Sequence, residues 1–466
     1  MSDYKPTIGL EVHVELKTAT KMFCNSKNDP DEKRPNVNIC PICLAHPGTL
    51  PVPNKQAIEH VIRVGLAVGG TIADYTEMDR KNYFYPDIPK GYQLSQYKYP
   101  LVSGGELAGV ELTRIHIEED TARSIHDDKT GESLVDFNRA GVPLMELVTE
   151  PVITSAKQAA DFAKELQLLL SPLYLNVSEA NLEKGEMRVE ANISINMGTK
   201  VEIKNLNSFR AVERAIEFET KRQTEVLEKG EQVVQETRGW DEDKGITFSQ
   251  RKKETSHDYR YFPDPDIPKL WLSKIDEFQN LRDTLPELPA VKRARLINDF
   301  SLKGEDAEVF VADQQMSEIF EGAAKLLNKD EVKTLANYLT SDLMGLVKNE
   351  ALKVWPTVEA MVELVQMISG GELSSRGAKD VLAKLAVEGG AARAWAEKLN
   401  LFQKSDEGEL GKIVEQVIIE NAQQFADLKV GNDKVLQFLV GQGMKLSKGS
   451  ANPGVLADLF KKKISV

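Results

Sequence analysis

The chain reads as an α+β protein, a strand-rich first half followed by helix-only sequence. Three observations predict this. Apolar and polar residues alternate with a period of two in several N-terminal segments. Most of the aromatic, Gly and Pro punctuation falls in the same region. At Leu285-Pro-Glu-Leu-Pro289 the texture changes to Ala-, Leu-, Glu- and Lys-rich sequence without sustained alternation. The expected partition is residues 1–288, 289–402 and 403–466, the second break falling between Gly389-Gly390 and Ser405.

Thr7 to Lys17 is the first predicted strand. Ile8, Leu10, Val12, Val14 and Leu16 share one face, and Glu11, His13 and Glu15 project from the other. Leu112 to Asp120 places Arg114, His116 and Glu118 together, and Val142 to Glu150 carries Glu146 between Leu144 and Val148. In Met187 to Met197, Arg188, Glu190, Asn192, Ser194 and Asn196 alternate with apolar residues. A turn at Gly198 then leads into Val201 and Ile203, which alternate with Lys200, Glu202 and Lys204, so a hairpin is expected. Ser155 begins a helix with a capping box to Gln158 and an apolar stripe of Phe162, Leu166, Leu169 and Leu170, closed by Pro172. Thr357 caps a helix carrying Val358, Met361, Val365 and Ile368, which Gly370-Gly371 ends. Asp406 and Glu407 suit a helix N-terminus before Leu410, Ile413, Val414 and Val417.

A chain of 466 residues with 41% hydrophobic content can bury several cores. No segment approaches the ~20 apolar residues that cross a bilayer, and Met1-Ser-Asp-Tyr-Lys5 lacks the apolar core of a signal peptide. A cytoplasmic protein without membrane partners is expected, in keeping with three cysteines suited to a reducing compartment. A net charge of −13 excludes a broadly cationic nucleic-acid surface, so any RNA contact must be local. From Gln437 onward the balance reverses: Lys445, Lys448, Lys461, Lys462 and Lys463 face one acid, Asp458.

The polar strand faces admit two readings. One is the solvated side of an antiparallel sheet. The other is chemical: carboxylates gathered on one face repel unless cations neutralise them, and Mg²⁺ carrying a nucleotide is the usual hard cation for oxygen ligands.

Several strings go further. Asp79-Arg-Lys-Asn-Tyr-Phe-Tyr-Pro-Asp-Ile-Pro-Lys-Gly-Tyr-Gln-Leu-Ser-Gln96 crowds aromatics, cations and amides into one Pro-punctuated segment. Together with Ile8-Gly-Leu-Glu-Val-His13, His116-Ile-Glu-Glu-Asp120, Val189-Glu-Ala-Asn-Ile-Ser194, Lys204-Asn-Leu-Asn-Ser-Phe209, His257-Asp-Tyr-Arg-Tyr-Phe-Pro263 and Gly443 to Pro453, it resembles the B-subunit (GatB/GatE) family of aspartyl/glutamyl-tRNA amidotransferases, nearly end to end. The resemblance implies a glutamine-synthetase-like antiparallel-sheet cradle, then an all-α domain and a small α-helical YqeY-like tail.

It also implies an activity. Family members work in a heterotrimer whose A subunit, a glutaminase, liberates ammonia and whose C subunit clasps A to B. The family member itself binds Glu-tRNA(Gln) or Asp-tRNA(Asn), phosphorylates the side-chain carboxylate with ATP and amidates it. Carried over by position, the resemblance assigns the metal site to Glu11, His13, Glu118 and Glu146, with Glu190 and Glu202 joining the same catalytic centre. Arg188 and Lys204 fall to nucleotide or substrate binding, with a structural salt bridge to a neighbouring glutamate as the alternative for Arg188. Imidazole is a poor Mg²⁺ ligand, so His13 either coordinates directly or orients a ligand. Glu190 stands where the family pattern often carries aspartate.

The cysteines depart from the family pattern. A Cys-x-Cys pair normally precedes the Cys-x-x-Cys of a Zn²⁺ site, whereas the matching segment is Cys24-Asn-Ser26. Cys24, Cys40 and Cys43 offer three ligands, with His46 or water as a fourth, and buried reduced thiols are the simpler expectation. The lysine-bearing tail matches the family's tRNA-contacting end, Tyr259 to Pro263 falls near the acceptor end, and Lys81 and Lys90 fall along the ammonia route. Two rival readings stay open: a free-standing ATP-dependent carboxylate-amine ligase, and a tRNA-binding adaptor with an inert carboxylate face.

Overall fold

The computed structural model describes residues 4–29, 31–127, 129–252, 259–403, 407–430, 432, 434–447 and 451–464. The chain divides into two compact units, Met1–Pro289 and Ala290–Val466. Among the described residues, no helix is long and apolar enough to cross a membrane.

The first unit is built on a ten-stranded sheet, and its first helix, α1 (Lys55–Ala67), packs against that sheet. Its principal strands are β1 (Pro6–Glu15), β2 (Val110–Glu119), β3 (Pro143–Thr149), β4 (Met187–Ile195), β5 (Val201–Leu206), β6 (Glu236–Asp241) and β7 (Ile246–Lys252). They lie in the order β7-β6-β5-β4-β1-β3-β2, and short strands Val102–Ser103 and Thr71–Ile72 extend the β2 side. Pairing is antiparallel except between β5 and β6, which run parallel. The sheet is therefore mixed, a correction to the purely antiparallel expectation. The cause is the connection: the 20-residue helix α3 (Phe209–Glu228) crosses between β5 and β6, and a helical crossover returns the chain in the same direction.

Helix α2 (Ala156–Leu170) is buried through Phe162, Leu166, Leu169 and Leu170, the apolar stripe read from the sequence. It shares a core with α3 and with the apolar face of the sheet, including Ile8, Leu10, Val12, Met145, Leu147, Val189, Ala191 and Ile203. Ser155 caps α2 by accepting a hydrogen bond from the Gln158 backbone. The reciprocal half of the expected box is displaced by one residue, because the Gln158 side chain accepts from the Thr154 backbone at 3.1 Å. Ser155→Ala should cost about 1 kcal/mol of stability, measured by denaturant unfolding; an unchanged midpoint would show that the cap is energetically idle.

Two irregularities keep the chemical face in register. Val148 pairs with Arg114 but Thr149 pairs with Leu112, so Thr113 is an extra residue that restores Leu112 to the core side. Between β4 and β5, Val189 pairs with Leu206 and Ala191 with Ile203, and Asn205 takes up the excess at φ 65°. The β4 strand ends at Ile195, earlier than the alternation suggested: Asn196 (φ 52°) and Met197 (φ 55°) already form the turn, and Met197 is exposed.

A smaller sheet of Asp79–Asn82, Tyr92–Ser95 and Phe262–Pro263 carries the Pro-punctuated aromatic segment. Its Tyr92–Ser95 strand lies against β2.

The described part of the second unit is helical, apart from one isolated bridge between Leu373 and Phe402. Thr357 caps Val358–Ser369 by accepting from the Ala360 backbone, and Gly370-Gly371 ends it, with Gly371 at φ 68°. The last four helices, Glu407–Glu420, Ala422–Lys429, Lys434–Leu446 and Pro453–Ile464, enclose a core of Leu410, Val414, Val417, Leu439, Leu456 and Phe460. His257, Asp258, Asp406 and Lys448 lie outside the described residues.

Candidate functional site

Register, rather than sequence proximity, assembles the site. His13 pairs with Glu146 on one side and Arg188 on the other; Glu11 pairs with Glu190. Glu146 pairs in turn with His116, and Leu144 with Glu118. Asn192 pairs with Glu202, which pairs with Thr237. Residues paired across a sheet point to the same side, so six strands, β1 to β6, deliver polar residues into one open cleft of about 1390 Å³. Glu11, His13, Glu118, Glu146, Arg188, Glu190, Glu202 and Lys204 all line it.

Within the cleft the acidic residues form two sets. His13, Glu118 and Glu146 bring ligand atoms within 4.8 Å of one another, as do Glu11, Glu190 and Glu202. The second set offers only oxygen donors and fits a hard divalent cation; the first mixes two carboxylates with an imidazole. The donor sets could hold two ions, with His13 among the candidate ligands of one.

Protein cations neutralise part of this charge. His13 Nε2 lies 3.4 Å from Glu146 and 3.9 Å from Glu118, and His116 Nε2 lies 3.3 Å from Glu146 and 3.8 Å from Glu118. Burial works against protonated His116, but the charges and hydrogen bonds of Glu146 and Glu118 prevail and push its pKa up to about 9. His13 is raised too: burial again opposes its charge, and Glu146 foremost outweighs it. Burial penalises the Glu146 charge, yet His116 and then His13 hold its carboxyl well below the usual range. Lys81 enters from the smaller sheet, beneath the Tyr259 ring at 5.1 Å from its centroid. Burial opposes its charge as well, but Glu118, Tyr261 and Glu146 overcome that cost and raise its pKa.

The remaining polar groups fix orientation. Ser95 donates to Glu118 at 2.9 Å, Asn192 to Glu11 at 2.8 Å and Thr237 to Glu202 at 2.7 Å. Lys204 reaches both oxygens of Glu190, at 3.0 and 2.8 Å. Arg188 is engaged by Asp120 at 2.5 Å, so its ionic partner is an aspartate rather than a neighbouring glutamate. Tyr97 and Tyr261 stack with centroids 4.6 Å apart and line the same cleft. Lys90 is ion-paired to Glu119.

His116 is the group that periodicity saw only as a face neighbour. Its Nδ1 is buried without a hydrogen-bond partner among the described residues. The His-x-Glu spacing of His116 and Glu118 on one strand was the available signal. Ser95 and Thr237 gave none, because single hydroxyls do not announce their partners.

The cysteines converge elsewhere in this unit. Cys43 Sγ lies 3.6 Å from Cys24 and 3.7 Å from Cys40, and all three are free thiols. Ser26 Oγ is 3.6 Å from Cys43, in the place of the missing thiolate, and the fully buried Lys21 ammonium approaches Cys43 at 3.6 Å. The hydrogen bond from Cys24 lowers the Cys43 pKa to about 4 against the cost of burial, with Lys21 assisting. Three sulfurs at this spacing suit a tetrahedral ion, and a buried ammonium beside them also suits a metal-free thiolate.

Of the tail lysines, Lys445 lies in the last turn of Lys434–Leu446, and Lys461, Lys462 and Lys463 occupy the last turn of Pro453–Ile464. Lys463 pairs with Glu415 at 2.7 Å.

Comparison with known proteins identifies the family. Residues 6–276 match the GatB/GatE catalytic domain and residues 318–464 match the GatB domain (GatB_Yqey). Proteins named as the B subunit of aspartyl/glutamyl-tRNA(Asn/Gln) amidotransferase are similar throughout. That of Caldanaerobacter subterraneus subsp. tengcongensis is 43% identical over 479 residues, covering 99% of each chain. That of Brevibacillus brevis is 42% identical over 482 residues, covering 100% of each. That of Gloeothece citriformis is 40% identical over 491 residues, covering 99% of this chain and 98% of the relative. With both domains matched in order and relatives aligned along essentially the full length, this chain belongs to the GatB/GatE family of tRNA amidotransferase B subunits.

Proposed function

We propose that the carboxylate-lined cleft uses ATP to activate the side-chain carboxylate of Glu-tRNA(Gln) or Asp-tRNA(Asn) for amidation. The chain acts as the B subunit of a tRNA-dependent amidotransferase, a ligase that works as part of a complex. The observation that carries the finer reading is the pair of ligand sets, His13 with Glu118 and Glu146, and Glu11 with Glu190 and Glu202, lying side by side on one face of the sheet with strand β1 common to both.

The chemistry explains why such a cleft is needed. A carboxylate resists ammonia because its charge is delocalised and oxide is a hopeless leaving group. Transfer of the γ-phosphoryl group of ATP to a carboxylate oxygen gives an acyl phosphate and ADP; attack by ammonia then forms the C–N bond and releases phosphate. Both steps demand positioning and charge neutralisation more than covalent participation. Mg²⁺ ions held by the two sets would neutralise phosphate charge. Lys81 supplies a fixed cation beside Glu118 and Glu146, and Lys204 holds the Glu190 carboxylate. Arg188, tied to Asp120, positions that wall of the cleft. Ammonia comes from a glutaminase A subunit, with a C subunit joining A to B. The cradle, helical and tail regions correspond to residues 1–288, 289–402 and 403–466.

Separate Glu11→Gln and Glu118→Gln variants of the assembled enzyme test the reading. Both should retain tRNA binding and lose ATP-dependent amidation; undiminished amidation in both would favour a tRNA adaptor whose acidic face is inert.

The tail lysines, Lys445, Lys448 and Lys461 to Lys463, are assigned to tRNA phosphates. Replacing Lys461, Lys462 and Lys463 together with Ala should weaken tRNA binding and flatten its salt dependence, by roughly 0.7–0.9 in log–log slope for each phosphate no longer neutralised. An unaltered salt slope would remove this helix from the interface.

A further inference from the structure

We infer that Cys43 and Cys24 form a reversible thiol–disulfide site, oxidised by hydrogen peroxide, in the place where the family pattern puts a zinc ion. The sulfurs carry the first part of the argument. Cys43 Sγ is the centre of the cluster, hydrogen-bonded to Cys24 at 3.6 Å and 3.7 Å from Cys40. Thiols already in van der Waals contact need only side-chain rotation to bond. Cys24 and Cys43 are far apart in sequence, and the fold alone brings them together.

The donor set does not complete a zinc site. Closed structural sites present four Cys or His ligands. Among the described residues no fourth ligand joins the three sulfurs: Ser26 offers a neutral hydroxyl 3.6 Å from Cys43, and His46 is exposed and outside the group. A cation is already present. Lys21 is fully buried, with its ammonium 3.6 Å from Cys43 Sγ and 3.1 Å from the Phe137 carbonyl, and among the described residues no carboxylate forms an ion pair with it. A charge taken out of water needs a counter-charge, and the Cys43 sulfur is the neighbour able to supply it. A dication among the same sulfurs would repel that ammonium at close range, whereas two thiols accommodate it.

Access and chemistry agree. Cys24 and Cys43 line a cleft of about 390 Å³ together with Lys90, Glu119 and Asp120, while the Cys43 side chain is only 7% exposed, so a small uncharged oxidant is favoured over a bulky disulfide. The ammonium favours the negative sulfur that attacks peroxide. That attack breaks the O–O bond, leaving a sulfenic acid on Cys43 and releasing water. The Cys24 sulfur then displaces the hydroxyl group, forming the S–S bond and a second water. Two thiols are oxidised and one hydrogen peroxide is reduced to two waters. A resolving thiol in contact with the sulfenic acid diverts it from irreversible oxidation.

The test uses the assembled amidotransferase with wild-type, Cys40→Ser and Cys43→Ser chains, prepared in medium supplied with zinc. Metal content is measured by elemental analysis after gel filtration. The enzyme is then treated with hydrogen peroxide, its free thiols are alkylated, and the peptides of this chain are mapped by mass spectrometry. Zinc should be substoichiometric in the wild type. Wild-type and Cys40→Ser chains should each lose two alkylatable thiols and yield a cross-linked peptide joining Cys24 to Cys43, and dithiothreitol should return both thiols. Cys43→Ser should keep its two remaining thiols. One zinc held per wild-type chain would overturn the inference. So would survival of all three thiols in peroxide, a cross-link between Cys40 and Cys43 in place of the expected one, or oxidation that dithiothreitol does not reverse.

Discussion

Glu146→Gln in the assembled enzyme should lower the rate of amidation by about 10³-fold, the scale expected when a fixed charge is removed from a preorganised phosphoryl-transfer site. Glu146 is held by three charged side chains of the cleft. It lies between His13 at 3.4 Å and His116 at 3.3 Å, with Arg114 at 3.9 Å, and belongs to one of the two ligand sets. Glutamine preserves the side-chain volume and an acceptor oxygen, so packing between Leu144 and Val148 is undisturbed. What disappears is the negative charge that raises the pKa of both imidazoles and that a divalent cation requires. The measurement is single-turnover formation of amidated aminoacyl-tRNA at saturating ATP, with the melting curve of the complex as control. A rate within a few-fold of wild type and an unchanged melting curve would mean that the His13–Glu118–Glu146 set is not catalytic.

A second large effect is expected in stability. Glu219, on α3, is fully buried and accepts hydrogen bonds from Arg222 at 2.9 and 2.6 Å, Gln223 at 2.9 Å and Thr247 at 3.0 Å, with Arg238 3.6 Å away. It is the junction that ties the crossover helix to the two outer strands β6 and β7. Glu219→Leu leaves two guanidiniums facing a carboxylate that no longer exists, and breaking one partner of a buried ionic network costs about 3–5 kcal/mol. For a unit of this size each kcal/mol lowers the melting temperature by roughly 2–4 °C. Adding Arg222→Met should recover much of the loss, because the penalty lies in the stranded Arg222 charge, whereas Arg238 keeps its ion pair with Glu236. A melting temperature shifted no more than by a surface substitution would show that water replaces the carboxylate without cost.

The legible part of the fold was periodic. Strands β1, β3 and β4 and helices α2 and Val358–Ser369 announced themselves because each packs one apolar face into a core, which writes a period of two or 3.6 into the residues. Boundaries slipped where backbone conformation, rather than side-chain polarity, decides. Asn196 and Met197 continue the alternation of β4 in sequence yet adopt positive φ and turn the chain. The bulge at Thr113 and the excess residue at Asn205 were likewise silent, since a residue that opposes no partner carries no distinctive chemistry. The parallel pairing of β5 and β6 follows from a crossover helix whose direction of return no local pattern encodes.

At the site, alternation along each strand was enough to show which polar residues share a face, because it is a local consequence of the extended backbone. Who meets whom was settled by long-range pairing. Strand order places Glu190 beside Glu11 and Glu146 beside His13, dividing the acids into two sets, and it gives Arg188 to Asp120 and Lys204 to Glu190. Long-range pairing fixes these partnerships, and a charge that could neutralise any of several acids is committed to one only when the strands between them are aligned.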